Sequence, residues 1–269
     1  MGTGAAILLG IVQGVTEFLP VSSSAHLILA REFFGWDAGR FGLPFDVACH
    51  VGTLAAVLVF FRKDIAELVF AAPGALRRNP GPAARRVRLI AAGTVPIVIV
   101  GLLFAGDIER YLRGPLVAAA GLVIGAILLL VVERIGPRTK GEEALTIPGA
   151  LAIGVGQASA LLPGMSRSGT TIAVGMGLGL RRDAAARFTF LMSAPAVAAA
   201  AVKEGWELRT MPLESSMAGL MLIGLVTSGV VGYLTVKYFL RFLAANRLDV
   251  FAWYRLALAA VTIAWVWIG

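Results

Sequence analysis

Six uninterrupted apolar stretches, at about residues 45–61, 89–105, 115–133, 186–202, 215–236 and 250–268, are each long enough to cross the hydrocarbon core of a bilayer. Such a chain cannot bury all of this surface in a water-surrounded core. Composition agrees: charged residues make up 15% of the sequence, against about 25% in a typical soluble domain. The expected class is an all-α polytopic membrane protein, a single integral-membrane domain over residues 1–269. Residues 1–20 contain no Lys or Arg and carry Glu17, so they do not read as a cleaved signal peptide. The lone cysteine, Cys49, allows no internal disulfide and no cysteine-rich zinc site.

Two further apolar stretches, about 5–30 and 147–180, are interrupted in the middle by proline, serine and glycine. Irregular backbone at membrane depth has to be buried in protein or line a wet cavity, because lipid cannot satisfy its peptide groups. Both stretches are therefore expected to be re-entrant helix-loop-helix hairpins. With three crossings after each, the chain divides into halves of about 1–135 and 136–269 that share one plan. An odd number of crossings per half makes the second half inverted, a plan known best from transporters. Gln13 and Gln157 precede Pro20 and Pro163 by similar distances, each proline follows Leu, and each precedes a serine cluster.

The net charge of +8 suggests nucleic acid only until the cations are located. Sixteen fall on one predicted face, within residues 62–88, 134–140, 181–187 and 237–247. Six fall on the other: Arg31, Arg40, Arg110, Arg113, Lys203 and Arg209. Arg167 and Arg255 lie inside membrane segments. The positive-inside rule makes the sixteen-cation face cytoplasmic and places both termini and the mouth of the first hairpin outside. Glycine, 32 of 269 residues, permits close helix packing, within the chain or in a homodimer.

In the first interruption Gln13 and Glu17 share one helix face. Ser22, Ser23 and Ser24 follow Pro20 where the returning helix should begin, a position at which serine caps and free N–H groups attract anions. His26 lies three residues past Ser23, within one turn. A carboxylate inside an apolar hairpin is costly, so Glu17 is a functional candidate by default. In the second interruption Ser166, Arg167, Ser168, Gly169, Thr170 and Thr171 combine a guanidinium, hydroxyls, a glycine and a helix N-terminus. These are the parts of a phosphate site. Opposed hairpins would bring Arg167 toward Glu17, Ser23 and His26. His50 reads as a packed or hydrogen-bonded structural residue, and Asp46 as a helix N-terminal acid with the pocket mouth as the alternative.

The segments Gln13-Gly-Val-Thr-Glu-Phe-Leu-Pro-Val-Ser-Ser-Ser-Ala-His26 and Pro163-Gly-Met-Ser-Arg-Ser-Gly-Thr-Thr171 resemble the two signature motifs of the bacterial undecaprenyl-pyrophosphate phosphatase family, the bacitracin-resistance proteins. The resemblance extends along essentially the whole chain. It implies a hydrolase of the bacterial cytoplasmic membrane that removes the terminal phosphate of undecaprenyl pyrophosphate and so recycles the lipid carrier of peptidoglycan synthesis, with membrane lipids as surroundings and nucleic acid excluded as a partner. The family's Glu/Gln-x-x-x-Glu pattern falls on Gln13 and Glu17, and its Pro-Gly-x-Ser-Arg-Ser-x-x-Thr pattern on Pro163, Gly164, Ser166, Arg167, Ser168 and Thr171.

On this reading the catalytic set is Glu17, Ser23, His26 and Arg167. The substrate-binding set is Gln13, Ser22, Ser24, Ser166, Ser168, Gly169, Thr170 and Thr171. A divalent cation, Mg²⁺ before Ca²⁺, would bridge Glu17 and phosphate oxygens. Ser23 is the candidate nucleophile or orients water, and His26 shuttles the proton, with Glu17 the other candidate base. Gln13 is the amide form of a position that can be Glu, which makes a two-carboxylate metal site doubtful here. The competing class is a lipid-phosphate transporter or flippase built on the same inverted plan.

Overall fold

The computed structural model describes residues 2–36, 41–112, 114–135, 138–208 and 215–268. Arg40, Arg113 and Arg209, three of the six cations assigned to the second face, lie outside the described residues. Helices account for nearly all of the regular structure, and six of them are long and apolar enough to cross a membrane. They match the six uninterrupted stretches.

The chain opens with α1 (Gly2–Thr16) and α2 (Ser23–Phe34), separated by the first interruption. The first three candidate spans are α3 (Leu43–Phe60), α5 (Pro82–Tyr111) and α6 (Pro115–Ile135). Between α3 and α5 lies the short α4 (Arg62–Ala71), which has no buried residue. The second interruption separates α7 (Ile147–Ser159) from α8 (Arg167–Gly177). Three more spans follow: α9 (Arg182–Leu208), α10 (Ser215–Ala245) and α11 (Asp249–Ile268). Proline opens α3, α5 and α7 at their first turns, where its missing N–H costs nothing. Pro96 and Pro195 instead sit inside α5 and α9.

The spans differ in how much of their surface the protein covers. α9 is the central one, with 61% of its most apolar window buried, whereas α5 has only 11% buried and is peripheral. A chain of ring contacts runs through the centre. Phe18 of the first interruption meets Phe190 edge-on at 5.5 Å, Phe190 meets Phe239 at 6.3 Å, and Phe239 meets Phe251 at 5.6 Å. These aromatic contacts fix the residue beside Glu17 against α9, and through it against α10 and α11.

Glycine lets helices touch backbone to backbone. A Cβ on Gly52 would lie 2.2 Å from both the Leu225 carbonyl oxygen and Ser228 Oγ, and one on Gly121 would lie 2.2 Å from the Pro163 carbonyl oxygen. The first contact seats α3 on α10; the second seats α6 against the second interruption. These glycines serve packing within the chain.

Ion pairs tie together segments that the charge count placed on one face. Arg86 pairs with Glu142 and with Asp64, and Arg187 also reaches Asp64. Glu133, 1% exposed, accepts from Arg138 at 3.0 Å, from Arg182 Nε at 2.7 Å and from the Leu248 N–H at 2.9 Å. Elsewhere Arg31 donates to Asp46 at 2.7 Å and to the Phe41 carbonyl at 2.7 Å.

Gly52→Ala should separate α3 from α10 and cost about 1–3 kcal/mol, the usual price of overpacking a tight contact. A thermal melt in detergent checks this as a lowered unfolding temperature, and an unchanged melt would contradict the contact.

Candidate active site

Both interruptions end on a serine that caps the next helix in the same unusual way. Ser22 and Ser166 lie in the left-handed region, at φ 74° and 65°, where residues other than glycine are uncommon. The Ser22 hydroxyl accepts from the Ala25 N–H at 3.4 Å, and the Ser166 hydroxyl from the Gly169 N–H at 3.1 Å. Each hydroxyl also lies 3.2 Å from that of the serine two residues on, Ser24 or Ser168. The caps start α2 at Ser23 and α8 at Arg167, and both residues border the space between the interruptions.

That space is a cavity of about 400 Å³. Its polar lining comes from Thr16, Glu17, Ser22, Ser23 and Ser24, from Ser166 and Arg167, from Asp46 and His50 of α3, and from Lys203 towards the end of α9. Its apolar lining comes largely from α5 and α9, including Ile97, Val98, Leu102, Ala196 and Val197. One side of the cavity is therefore charged and hydrogen-bonding, and another is oily.

Glu17, 9% exposed, is the centre of the polar side. Arg167 Nη2 donates to its Oε1. Its Oε2 accepts from Ser23 Oγ at 2.7 Å and from Gln13 Nε2 at 2.9 Å. The pairing satisfies a carboxylate and a guanidinium that would each be expensive alone at this depth. It also joins the two interruptions through residues 150 positions apart.

His50 is the group that sequence reasoning missed. Its Nδ1 lies 2.8 Å from the Asp46 carbonyl, and its Nε2 faces Glu17 Oε2 at 3.7 Å. The structural hydrogen bond read from sequence is present, but the other nitrogen faces the cavity. Asp46 and His50, four apart at the start of a span, share a helix face, and that spacing was the available signal. Asp46 itself is both the first-turn acid of α3 and part of the cavity lining.

His26 does not meet Arg167 as expected. Its Nδ1 lies 2.7 Å from the Ser22 carbonyl, and its Nε2 lies 2.7 Å from Tyr254 Oη, with the two rings stacked at 5.6 Å. The turn of α2 carries it toward α11, away from the cavity lining. Four residues of the second interruption also turn elsewhere. Ser168 Oγ donates to the Leu19 carbonyl at 2.9 Å, Thr170 Oγ1 to the Gly156 carbonyl at 2.8 Å, and Thr171 Oγ1 to the Arg167 carbonyl at 2.6 Å. Gly169 faces Arg255, whose Nη1 would be 2.9 Å from an added Cβ. These four hold the interruption together and do not line the cavity.

Among the described residues no cluster of three or more His, Cys, Asp or Glu side chains is placed to hold a metal ion. Two carboxylates, Glu17 and Asp46, line the cavity; Gln13, predicted to bind substrate, is fully buried beside Glu17 and does not line it, and its Oε1 has no hydrogen-bond partner. A carboxylate plus an unsatisfied oxygen suits Mg²⁺, which takes few protein ligands and completes its shell with water and phosphate oxygens.

Residues 6–261 match the family model described as bacitracin resistance protein BacA. A relative from Rubrobacter xylanophilus is 45% identical over 262 residues, covering 96% of each chain. One from Geobacter sulfurreducens is 43% identical over 263 residues, covering 97% of each chain. One from Thioalkalivibrio sulfidiphilus is 42% identical over 262 residues, covering 97% of this chain and 98% of its own. All three are named undecaprenyl-diphosphatase.

Neutralising Glu17 while keeping its shape frees the Arg167 guanidinium toward the cavity. Calorimetric titration with inorganic phosphate should therefore show Glu17→Gln binding at least about tenfold more tightly than the wild type, a shift the size of one partly buried charge interaction. Equal affinities would mean that phosphate does not reach Arg167.

Proposed function

The chain belongs to the bacitracin resistance protein BacA family, and from that premise we propose that it is an undecaprenyl-diphosphatase working in a bacterial membrane. It hydrolyses undecaprenyl pyrophosphate to undecaprenyl phosphate and inorganic phosphate, which returns the lipid carrier to cell-wall synthesis and opposes bacitracin. The observation that carries this reading is the cavity's division, with Glu17, Ser23 and Arg167 on the polar side and the α5 and α9 side chains on the apolar side. A pyrophosphate on a prenyl chain has the same two-part chemistry.

In the resting site Arg167 is occupied by Glu17. Substrate pyrophosphate displaces the carboxylate from the guanidinium, and the N-termini of α2 and α8 add N–H groups and favourable dipoles. Arg167 then neutralises charge on the phosphoryl group being transferred. Glu17, released from Arg167, keeps its contact with Ser23 and accepts the Ser23 proton as Oγ attacks the terminal phosphorus. The bond from that phosphorus to the bridging oxygen breaks, and undecaprenyl phosphate leaves. Water hydrolyses the phosphoserine and regenerates the hydroxyl. In the alternative form of the step, Ser23 and Glu17 orient and deprotonate a water that attacks directly. The 2.7 Å contact between Ser23 and Glu17 favours Glu17 over His26 as the base. His26, held by the Ser22 carbonyl and Tyr254 outside the cavity lining, takes no step in this scheme.

Glu17 and Gln13 Oε1 are the groups that would hold a divalent cation, Mg²⁺, close to the phosphate. Bound there, it would supply further charge neutralisation on the phosphoryl oxygens. A transporter needs the anion-binding half of this site but no nucleophile with a base beside it, and the names of the relatives favour the hydrolase.

The two interruptions are read as re-entrant hairpins in inverted halves. Their caps are built alike, and part of the packing exchanges: α1 lies on α10 as α7 lies on α5, and α6 pairs with α11, whereas the extensive α3–α10 contact has only a small counterpart between α9 and α5. The cation-rich segment of residues 62–88 is placed on the cytoplasmic side. Both termini and the mouth of the first hairpin then face outward, where discharged carrier is produced.

Phosphate release from undecaprenyl pyrophosphate by purified protein tests the activity. Arg167→Ala and Glu17→Ala should each lose roughly 100-fold or more in kcat, the scale of removing one preorganised charge. Chelation should abolish turnover, and Mg²⁺ should restore it. Ser23→Ala at the wild-type rate would eliminate the serine nucleophile and leave the water route. For topology, a cysteine in place of Pro80 should react with a membrane-impermeant thiol reagent only after the cells are opened; labelling in intact cells would reverse the orientation.

A further inference from the structure

Arg255 lies in the seventh position of α11, close to exposed residues such as Trp253 (59% exposed), yet is itself 0% exposed. A guanidinium buried at membrane depth is tolerated only when its donors are matched. The matching here comes from backbone carbonyls in three separate segments. Nε donates to Leu122 at 3.1 Å and Nη2 to Gly121 at 3.0 Å, both in α6. Nη1 donates to Pro20 at 3.1 Å, in the first interruption. Nη2 also donates to Gly164 at 2.8 Å and Met165 at 3.2 Å, in the second.

The surrounding sequence leaves room for this one side chain. A Cβ on Gly125 would lie 1.8 Å from Arg255 Nη2, and one on Gly169 would lie 2.9 Å from Nη1. The carbonyls that Arg255 holds are close in sequence to the reacting groups. Pro20 lies three residues after Glu17 and three before Ser23, and Met165 lies two before Arg167. A single rigid planar group thus bridges the two interruptions, beside the Glu17–Arg167 pair and the Ser168–Leu19 bond.

We propose that Arg255 is a positioning residue for the hydrolysis, holding Glu17 and Ser23 in register with Arg167 without touching substrate. The inference rests on the functional reading above and adds to it a residue outside both motifs. Its geometric basis is the planar fork, which reaches several carbonyls at once; a lysine ammonium is a point charge on a flexible stem and cannot span them. Charge alone therefore should not rescue the site.

The test uses purified full-length protein, wild type beside Arg255→Lys, and compares kcat with KM for undecaprenyl pyrophosphate. Arg255→Lys should lose about 100-fold in kcat, the scale of a misplacement near 1 Å, with KM changed less than threefold. A lysine variant that only melts earlier and keeps its kcat would overturn the proposal, since a merely structural arginine behaves that way. If the lysine variant does not fold, Gly169→Ala crowds Nη1 and leaves the guanidinium in place; it should show the same split at smaller size, and a wild-type kcat in it would overturn the proposal. Spin labels at positions 28 and 162 read the geometry without turnover. Their distance distribution should broaden or shift in Arg255→Lys, and an unchanged distribution would overturn the proposal even if the wild type proved to hydrolyse nothing, a result that would independently sink the functional reading.

Discussion

A helix that stops inside a bilayer leaves peptide groups that neither lipid nor the next turn can satisfy. This chain breaks two apolar stretches that are proposed to lie at membrane depth, and much of its architecture follows from answering that need. Ser22 and Ser166 accept from the first free N–H groups of the returning helices. The carbonyls that precede them are gathered by Arg255. Gly121 and Gly125 of α6 clear the space in which those contacts form. The same arrangement that makes the broken backbone tolerable also puts two helix N-termini and the Glu17–Arg167 pair around one cavity.

The charges at the site obey a similar requirement. Glu17 and Arg167 come from interruptions 150 positions apart, and neither would be stable in an oily interior without the other. Their pairing stabilises the empty protein and leaves both groups available once a more highly charged partner arrives. Ser23, held to the carboxylate at 2.7 Å, is part of that pairing in the resting state.

The sequence carried the features that depend on local pattern. Six apolar lengths became six candidate spans, and the proline-serine interruptions became the places where helices end and restart. The meeting of Glu17, Ser23 and Arg167 followed from opposing those two segments. What pattern could not carry were contacts set by how helices are rotated. His26 and Ser23 are three residues apart on α2, yet one faces Tyr254 and the other Glu17. His50 was legible as a hydrogen-bonded residue but not as a neighbour of Glu17, because that depends on how α3 seats against α1. Arg255 has no motif around it. In an apolar span it reads as an isolated cation, and only the folded chain reveals that its partners come from three other segments.

Pro96 and Pro195 lie immediately before Ile97 and Ala196, where α5 and α9 form the apolar side of the cavity. Each proline lacks the N–H that would bond the carbonyl four residues earlier, Ala92 in one helix and Leu191 in the other. The two long helices beside the oily half are thus weakest in bending beside the cavity. The polar half is cross-linked by Arg255 and the Glu17–Arg167 pair. The cavity therefore has walls of two kinds, one whose helical hydrogen-bond ladders are broken by proline and one tied across by side chains.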